Sequence, residues 1–259
     1  MEKFNFKKNL GQNFIFDKNL LRAIARAGDV EKSDAVLEIG AGAGTLTEVL
    51  AEMSSKVISF EIDESLRLTL ESLRDKCKNI EFHFQDFMAS DIDSLNLSSA
   101  RVIANIPYYI TTPIVFKLID HIKKFKSILI LVQKEVAERF ASNCGGKEYG
   151  ITSVILQSIF DVSIPRIVKK ECFTPSPKVD SALVKMIPHN KYKISDFEKF
   201  KSFIHLCFSM RRKTLINNLK NDYDKEKIIS ALNENSYPLT VRPEQISVEN
   251  FIKIFDSLN

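Results

Sequence analysis

Between residues 35 and 53 the chain reads "AVLEIGAGAGTLTEVLAEM": an apolar run, three glycines at alternate positions, then a stretch with helical periodicity. A chain that leaves a buried strand and enters a helix within five residues must turn sharply, and glycine takes the backbone angles that such a turn needs. The next apolar run, "KVISFEI" (56 to 62), must then return parallel to the first, because a helical crossover brings the chain back to the same end of a sheet.

The alternation continues. Strands are predicted at 35–40, 56–62, 79–86, 101–105 and 127–133, with helices at 45–53, 65–77 and 113–125 between them. A further helix precedes them in "FDKNLLRAIARAG", where Asp17 can cap the start and Gly28 the end. Continuous rather than alternating apolar strands argue for a parallel sheet covered by helices on both faces. Helices at 134–142 and 151–160 follow, then two β-like segments, "VSIPRIVKK" and "SALVKMIP", flanking the proline-rich "FTPSPKVD". A polar linker, "HNKYK" (189 to 193), leads into a purely helical pattern. There Ser195 and Glu198 have capping-box spacing, and helices are predicted near 211–220, 224–234 and 247–257. The expected organisation is an α/β domain over 1–188 and a small all-helical domain over 189–259.

Composition excludes several classes. In 259 residues there is no long uncharged apolar run, so no transmembrane helix is expected, and the first residues lack the apolar stretch of a signal peptide. A cytoplasmic protein is expected. Cys77, Cys144, Cys172 and Cys207 lie far apart, with no paired spacing and no histidine at ligand distance; reduced thiols and no metal site follow. Net charge is +4, and its distribution matters more than its size. "FSMRRKTLINNLK" holds four basic residues and no acidic one, and the first 28 residues hold six basic against two acidic. Both stretches suit phosphate contact, with Arg211, Arg212 and Lys213 the densest cluster.

The glycine turn carries chemistry. Glu61 ends the second strand 21 positions after Gly40, where a carboxylate can accept hydrogen bonds from both hydroxyls of a ribose. The glycines alone also fit an ordinary tight turn; with the acid at that spacing, an adenosine cofactor is the better reading. A dinucleotide would favour G-x-G-x-x-G, whereas Glu38 precedes Gly40, Gly42 and Gly44 here. An acid there suits a ligand with positive charge, such as the ammonium and sulfonium of S-adenosylmethionine. Asp86, ending the third strand, is placed to accept from the adenine amine, or simply to cap a turn.

The fourth strand ends in "ANIPYYITTP". An exocyclic adenine amine is a poor nucleophile because its lone pair is delocalised into the ring. Acceptors on its two hydrogens, the Asn105 side-chain oxygen and the Ile106 carbonyl, would hold it in line and favour the tetrahedral nitrogen of the transition state. Pro107 would fix the turn, Tyr108 would stack on the base, and Phe173 in "FTPSP" could form the opposite wall. Such a pocket needs a base that is single-stranded or flipped out of its stack.

With these residues in view, the chain resembles the small-subunit ribosomal RNA adenine N6,N6-dimethyltransferases, bacterial ribosome-assembly enzymes. The matching motifs are "KKNLGQNFIFD", "EIGAGAGTLT", "FEID", "QDF", "NIPYYITTP", "QKEVAERF", "KEYG", "FTPSPKVDSALV" and "RRKTLINNL", and they span almost the whole chain. The resemblance implies a Rossmann-like class I S-adenosylmethionine-dependent methyltransferase domain with a small all-helical C-terminal RNA-binding domain. It implies that Asn13 and Ile15 join Gly40, Gly42, Glu61, Asp86 and Asn105 as cofactor contacts. The implied reaction is two methyl transfers to each of two adjacent adenines near the 3′ end of that RNA, without a metal. Arg211, Arg212 and Lys213 would hold RNA phosphates.

Ile15 and Ile106 replace commoner leucines, and Ala41 stands where the family often has proline. Two alternatives stay open at this level. One is the sister branch that methylates large-subunit RNA and confers macrolide resistance; the other is a non-catalytic assembly or transcription factor on the same scaffold. The expected partner is small-subunit ribosomal RNA in an immature subunit. No heptad or large apolar surface demands an oligomer, and a monomer is expected.

Overall fold

A computed structural model describes residues 11–210 and 212–259 of the chain. The described chain begins with a two-residue strand, β1 (Phe14–Ile15), and helix α1 (Lys18–Ala27). The Asp17 carboxylate accepts from the amides of Asn19 and Leu20 at the helix start, and Gly28 ends it. There follow β2 (Ala35–Ile39), α2 (Thr45–Met53), β3 (Lys56–Glu61), α3 (Arg67–Lys76), β4 (Ile80–Phe84), β5 (Ala100–Asn105), α4 (Thr111–Asp120) and β6 (Phe125–Gln133). Then come α5 (Lys134–Phe140), α6 (Ile151–Gln157), β7 (Phe160–Val168), β8 (Phe173–Thr174) and β9 (Ser181–Pro188).

Seven strands form one sheet in the order β4-β3-β2-β5-β6-β9-β7. The first five are parallel, and β9 runs antiparallel to β6. The chain therefore builds outward from β2 to β4, then crosses back to lay β5 on the other side of β2. That reversal opens a crevice beyond the carboxyl ends of β2 and β5, where ligands of open α/β sheets bind. Register places Ile39 opposite Ala104, so Gly40 and Asn105 meet at the crevice.

Strand alternation explains the two-faced burial. Val36, Val57, Ile103 and Leu129 pack in one cluster with Leu20, Leu21 and Ile24 of α1 and Val49 and Leu50 of α2. Their neighbours Leu37, Ile58, Val102 and Ile128 point the other way and are equally buried. Each such side chain contributes roughly 1.5–3 kcal/mol by leaving water, which is why these strands are apolar on both faces except where polar side chains such as Glu38 and Ser59 bond to each other. The short ladder of β1 with β8 lies apart from this sheet, pairing Phe14 with Thr174 and Ile15 with Phe173.

The chain forms two compact units that divide after Pro188, and residues 138–162, expected in the first, belong to the second. The α/β unit comprises residues up to Ala137 together with Ser163–Pro188; the second comprises Glu138–Val162 and His189–Asn259. Within the second unit are α7 (Phe197–Cys207), α8 (Leu215–Leu219), α9 (Lys225–Glu234) and α10 (Val248–Leu258). Phe200 and Phe203 of α7 meet Phe255 of α10 with ring centroids 5.4 and 5.5 Å apart, forming an aromatic core. Residues 138–162 join it because Tyr149, itself buried, donates its hydroxyl to the Ile246 carbonyl at 2.9 Å, and the Gly145 amide donates to the Glu244 carbonyl at 2.7 Å. Helix α7 is capped by Asp196, whose carboxylate accepts from the Lys199 amide, and not by the Ser195 capping box the spacing suggested. Among the described residues no helix is long and apolar enough to cross a membrane.

Candidate active site

The turn after β2 is the floor of the site. Gly40 sits at φ +85°, and a Cβ there would stand 3.2 Å from the Asn105 carbonyl oxygen; both its amide and that of Ala41 donate to the Phe60 carbonyl. Gly42 sits at φ +56°, and a Cβ there would fall 2.6 Å from the Phe14 ring. Only glycine lets the turn press this closely against the end of β5 and against the segment before α1.

Around this turn lies one cavity, walled by residues 11–15, by Glu61 and Ile62 after β3, by residues 85–87 after β4 and by Asn105, Ile106 and Pro107 after β5. All seven residues expected to hold the cofactor, Asn13, Ile15, Gly40, Gly42, Glu61, Asp86 and Asn105, line it. Glu61 is buried; one carboxylate oxygen accepts from the Gly42 amide at 2.7 Å and the other from the Asp63 amide at 2.8 Å. Burial raises its pKa, and the two amides act against that rise. A carboxylate oxygen accepts more than one hydrogen bond, so both can still receive a hydroxyl. Asp86 is at once a cavity residue and a turn cap: Oδ1 accepts from the Met88 amide at 2.8 Å.

Sequence reasoning missed the apolar walls. Ile62 is 55% exposed yet lines the cavity beside Glu61, and Phe87 lines it beside Asp86. An exposed isoleucine next to a buried carboxylate is a surface prepared for a flat apolar ring, but no local pattern in the sequence announces it. Side-chain hydrogen bonds tie down residues 11–15. The Gln12 amide donates to Asp63 at 2.8 Å, the Thr45 hydroxyl to the Ile15 carbonyl at 2.8 Å, and the Asn105 amide to the Asn13 carbonyl at 3.2 Å.

At the end of β5, Asn105 is half-buried, Ile106 is buried, and Pro107 starts a 3-10 turn over Tyr108–Ile110. The Tyr108 and Ser181 hydroxyls share a 2.7 Å hydrogen bond, which fixes the tyrosine ring; partial burial raises the phenol's pKa. Tyr109, rather than Tyr108, lines the cavity. Phe173 departs from its expected place as a wall of the base pocket. It is 4% exposed, pairs with Ile15 across the β1–β8 ladder, and packs into the core cluster with Leu21 and Ile24.

Glu38 also departs from expectation. Strand alternation turns it under the first turn of α2, where it is fully buried, and one oxygen accepts from the hydroxyls of Thr47 and Ser59, each at 2.6 Å. Its other oxygen has no hydrogen-bond partner. Burial pushes this carboxyl up to about 7, so it supplies no firm negative charge to a ligand and does not line the cavity. In the second unit Arg212 and Lys213 are exposed in the turn before α8, whose cap is Thr214; Arg211 lies outside the described residues.

A buried acid that meets two backbone amides, a glycine cradle that any Cβ would fill, and apolar surface next to both suit a purine nucleoside with a small charged tail. The fold and this site define a Rossmann-like S-adenosylmethionine-dependent methyltransferase. A family model described as "Ribosomal RNA adenine dimethylase" matches residues 3–259. The chain belongs to the ribosomal RNA adenine dimethylase family. It is 42% identical to "Ribosomal RNA small subunit methyltransferase A" of Mycoplasma mobile, over 98% of this chain and 99% of that protein. It is 40% identical to the protein of the same name from Ligilactobacillus salivarius, over 98% and 90%. Among solved structures, a dimethyladenosine transferase from Plasmodium falciparum superposes with a TM-score of 0.81 at 28% identity, over 93% of this chain and 95% of that one. The 23S rRNA methyltransferase ErmE shares the fold, with a TM-score of 0.77 at 24% identity over 95% and 99%.

Proposed function

We propose that this protein dimethylates the N6 amines of two adjacent adenines near the 3′ end of small-subunit ribosomal RNA during ribosome assembly. The names of the relatives support the choice of subunit. The observation that carries the chemistry is the orientation of Asn105. With its amide nitrogen committed to the Asn13 carbonyl, its oxygen is left as an acceptor at the cavity wall.

S-adenosylmethionine, when bound, supplies an electrophilic methyl group on a sulfonium sulfur. The Asn105 oxygen and the Ile106 carbonyl accept the hydrogens of the target amine, two before the first transfer and the one remaining before the second, and draw its nitrogen toward tetrahedral geometry, an interaction that strengthens as the transition state forms. The Tyr108 ring, held by Ser181, offers a fixed face for a flipped base. Each transfer releases one proton from the amine to water. Glu61 holds the ribose and Asp86 the adenine amine of the cofactor, while Asn13, Ile15, Gly40 and Gly42 enclose the rest. Residues 189–259, with Arg211, Arg212 and Lys213, grip RNA phosphates. The protein acts as a cytoplasmic monomer on the immature subunit.

Mapping methylated adenines in ribosomal RNA from cells with and without the gene tests this reading. Loss of two adjacent dimethyladenines from small-subunit RNA is expected; a loss confined to large-subunit RNA would overturn it in favour of the sister activity.

A further inference from the structure

The segment between β4 and β5 has one 3-10 turn, Phe87–Ala89, to stiffen it, and that turn carries Asp86 and Phe87 to the cavity. It is gripped from outside by Lys117 of α4. The Lys117 ammonium donates to the Met88 carbonyl at 2.7 Å and to the Ser90 carbonyl at 2.6 Å, and lies 5.4 Å from the centroid of the Phe87 ring. Met88 is thus held at both ends of its backbone, its amide by Asp86 and its carbonyl by Lys117. Charge-assisted bonds of this length are stronger than neutral ones, and the ring face adds a cation–π attraction. Because α4 begins directly after the Asn105–Ile110 corner, the same lysine ties the turn to the element that leaves the reacting end of the site.

We propose that Lys117 is a positioning residue for cofactor-base selectivity: by clamping the Met88 and Ser90 carbonyls it holds Asp86 where its carboxylate reads the adenine amino group. This rests on the reading of Asp86 as the adenine contact. Lys117 does not line the cavity and acts through the turn. A lysine that served stability alone would, when replaced, weaken every ligand alike. A lysine that aims Asp86 affects only ligands bearing the amino group.

The test is calorimetric binding of S-adenosylhomocysteine and S-inosylhomocysteine, which carries a carbonyl in place of the amine, to the full chain. Wild-type protein is expected to favour the adenosyl ligand. Lys117→Met should weaken the adenosyl ligand by about tenfold and leave the inosyl ligand nearly unchanged, collapsing the ratio. Lys117→Arg, which keeps two donors and the charge, should restore part of it, and it serves as the informative variant if Lys117→Met does not fold. Asp86→Asn separates the two ideas. A ratio lost in Asp86→Asn but intact in Lys117→Met overturns the role of Lys117 and leaves Asp86 as the base contact. A ratio intact in both, or absent from the wild type, overturns both.

Discussion

Asn105, the last residue of β5, donates its side-chain amide to the backbone carbonyl of Asn13 at 3.2 Å, across 92 positions of sequence. One bond thus sets the direction of the candidate catalytic amide and ties down the segment that walls the cofactor cavity. Asn105→Ala removes the acceptor together with the bond that ties down residues 11–15, so the single-turnover methylation rate should fall by roughly 10²–10³ with a much smaller loss in S-adenosylhomocysteine affinity. Asn105→Asp should lose as much rate and also weaken binding, because a carboxylate oxygen then faces the Asn13 carbonyl. Rapid-quench kinetics and calorimetry separate the two; equal affinities for both variants would remove the tie.

Gly42→Ala should damage cofactor binding more than its single methyl suggests. The new Cβ meets the Phe14 ring at 2.6 Å and the residue must hold φ +56°. The expected loss in S-adenosylhomocysteine affinity is more than tenfold, with a lowered melting temperature. Gly150→Ala is the control: its φ of −172° is open to any residue and nothing lies within 4 Å of the new methyl. Equal behaviour of the two variants would contradict the close packing of the turn.

The fully buried Glu38 makes stability fall as pH rises. Unfolded, its carboxyl ionises near 4.5; folded, burial moves it to about 7. Its contribution is therefore complete below pH 4.5 and is lost as pH climbs through 7, by up to ~3 kcal/mol. Urea unfolding at pH 5 and pH 8 should show the decline, and Glu38→Gln, which still accepts from Thr47 and Ser59, should flatten it. Asp34 acts with the opposite sign at lower pH. Burial pushes its carboxyl up, but bonds from Arg101, the Glu31 amide and Lys126 outweigh this and leave it lowered, so its contribution is lost only on acidification.

Replacing Arg212 and Lys213 by glutamine should weaken RNA binding and make log affinity against log salt shallower by roughly 1.5, since each phosphate contact contributes about 0.7–0.9 to the slope. Filter binding from about 50 to about 300 mM salt, a roughly sixfold range, measures it. An unaltered slope would mean that these two exposed residues face solvent in the complex.

Most strands and helices of the α/β unit were legible because the central apolar runs are nearly continuous and several turns are marked by glycine, proline or a capping acid, as at Asp17 and Gly28. The cavity was legible in the spacing of Gly40, Gly42, Glu61 and Asp86, which all sit at strand ends. What failed depends on contacts between distant parts of the chain. Glu38 was misread because the side of β2 it occupies is decided by where α2 packs, which no local pattern states. Phe173 is buried by β1, a partner far away in sequence. Residues 138–162 join the helical unit through bonds such as Tyr149 to Ile246, and Lys117 looks like any surface lysine until the turn at Met88 is folded beside it.

The most direct measurement is methylation of isolated small ribosomal subunits that lack adenine dimethylation, with purified protein and radiolabelled S-adenosylmethionine, followed by digestion to nucleosides and mapping. Two methyl groups on each of two adjacent adenines of the small-subunit RNA are expected, and the Asn105→Ala protein should fail to add them at a comparable rate. Label absent from that RNA, label found only in large-subunit RNA, or an Asn105→Ala protein as fast as the wild type would contradict the assignment of this corner as the place where the methyl group is transferred.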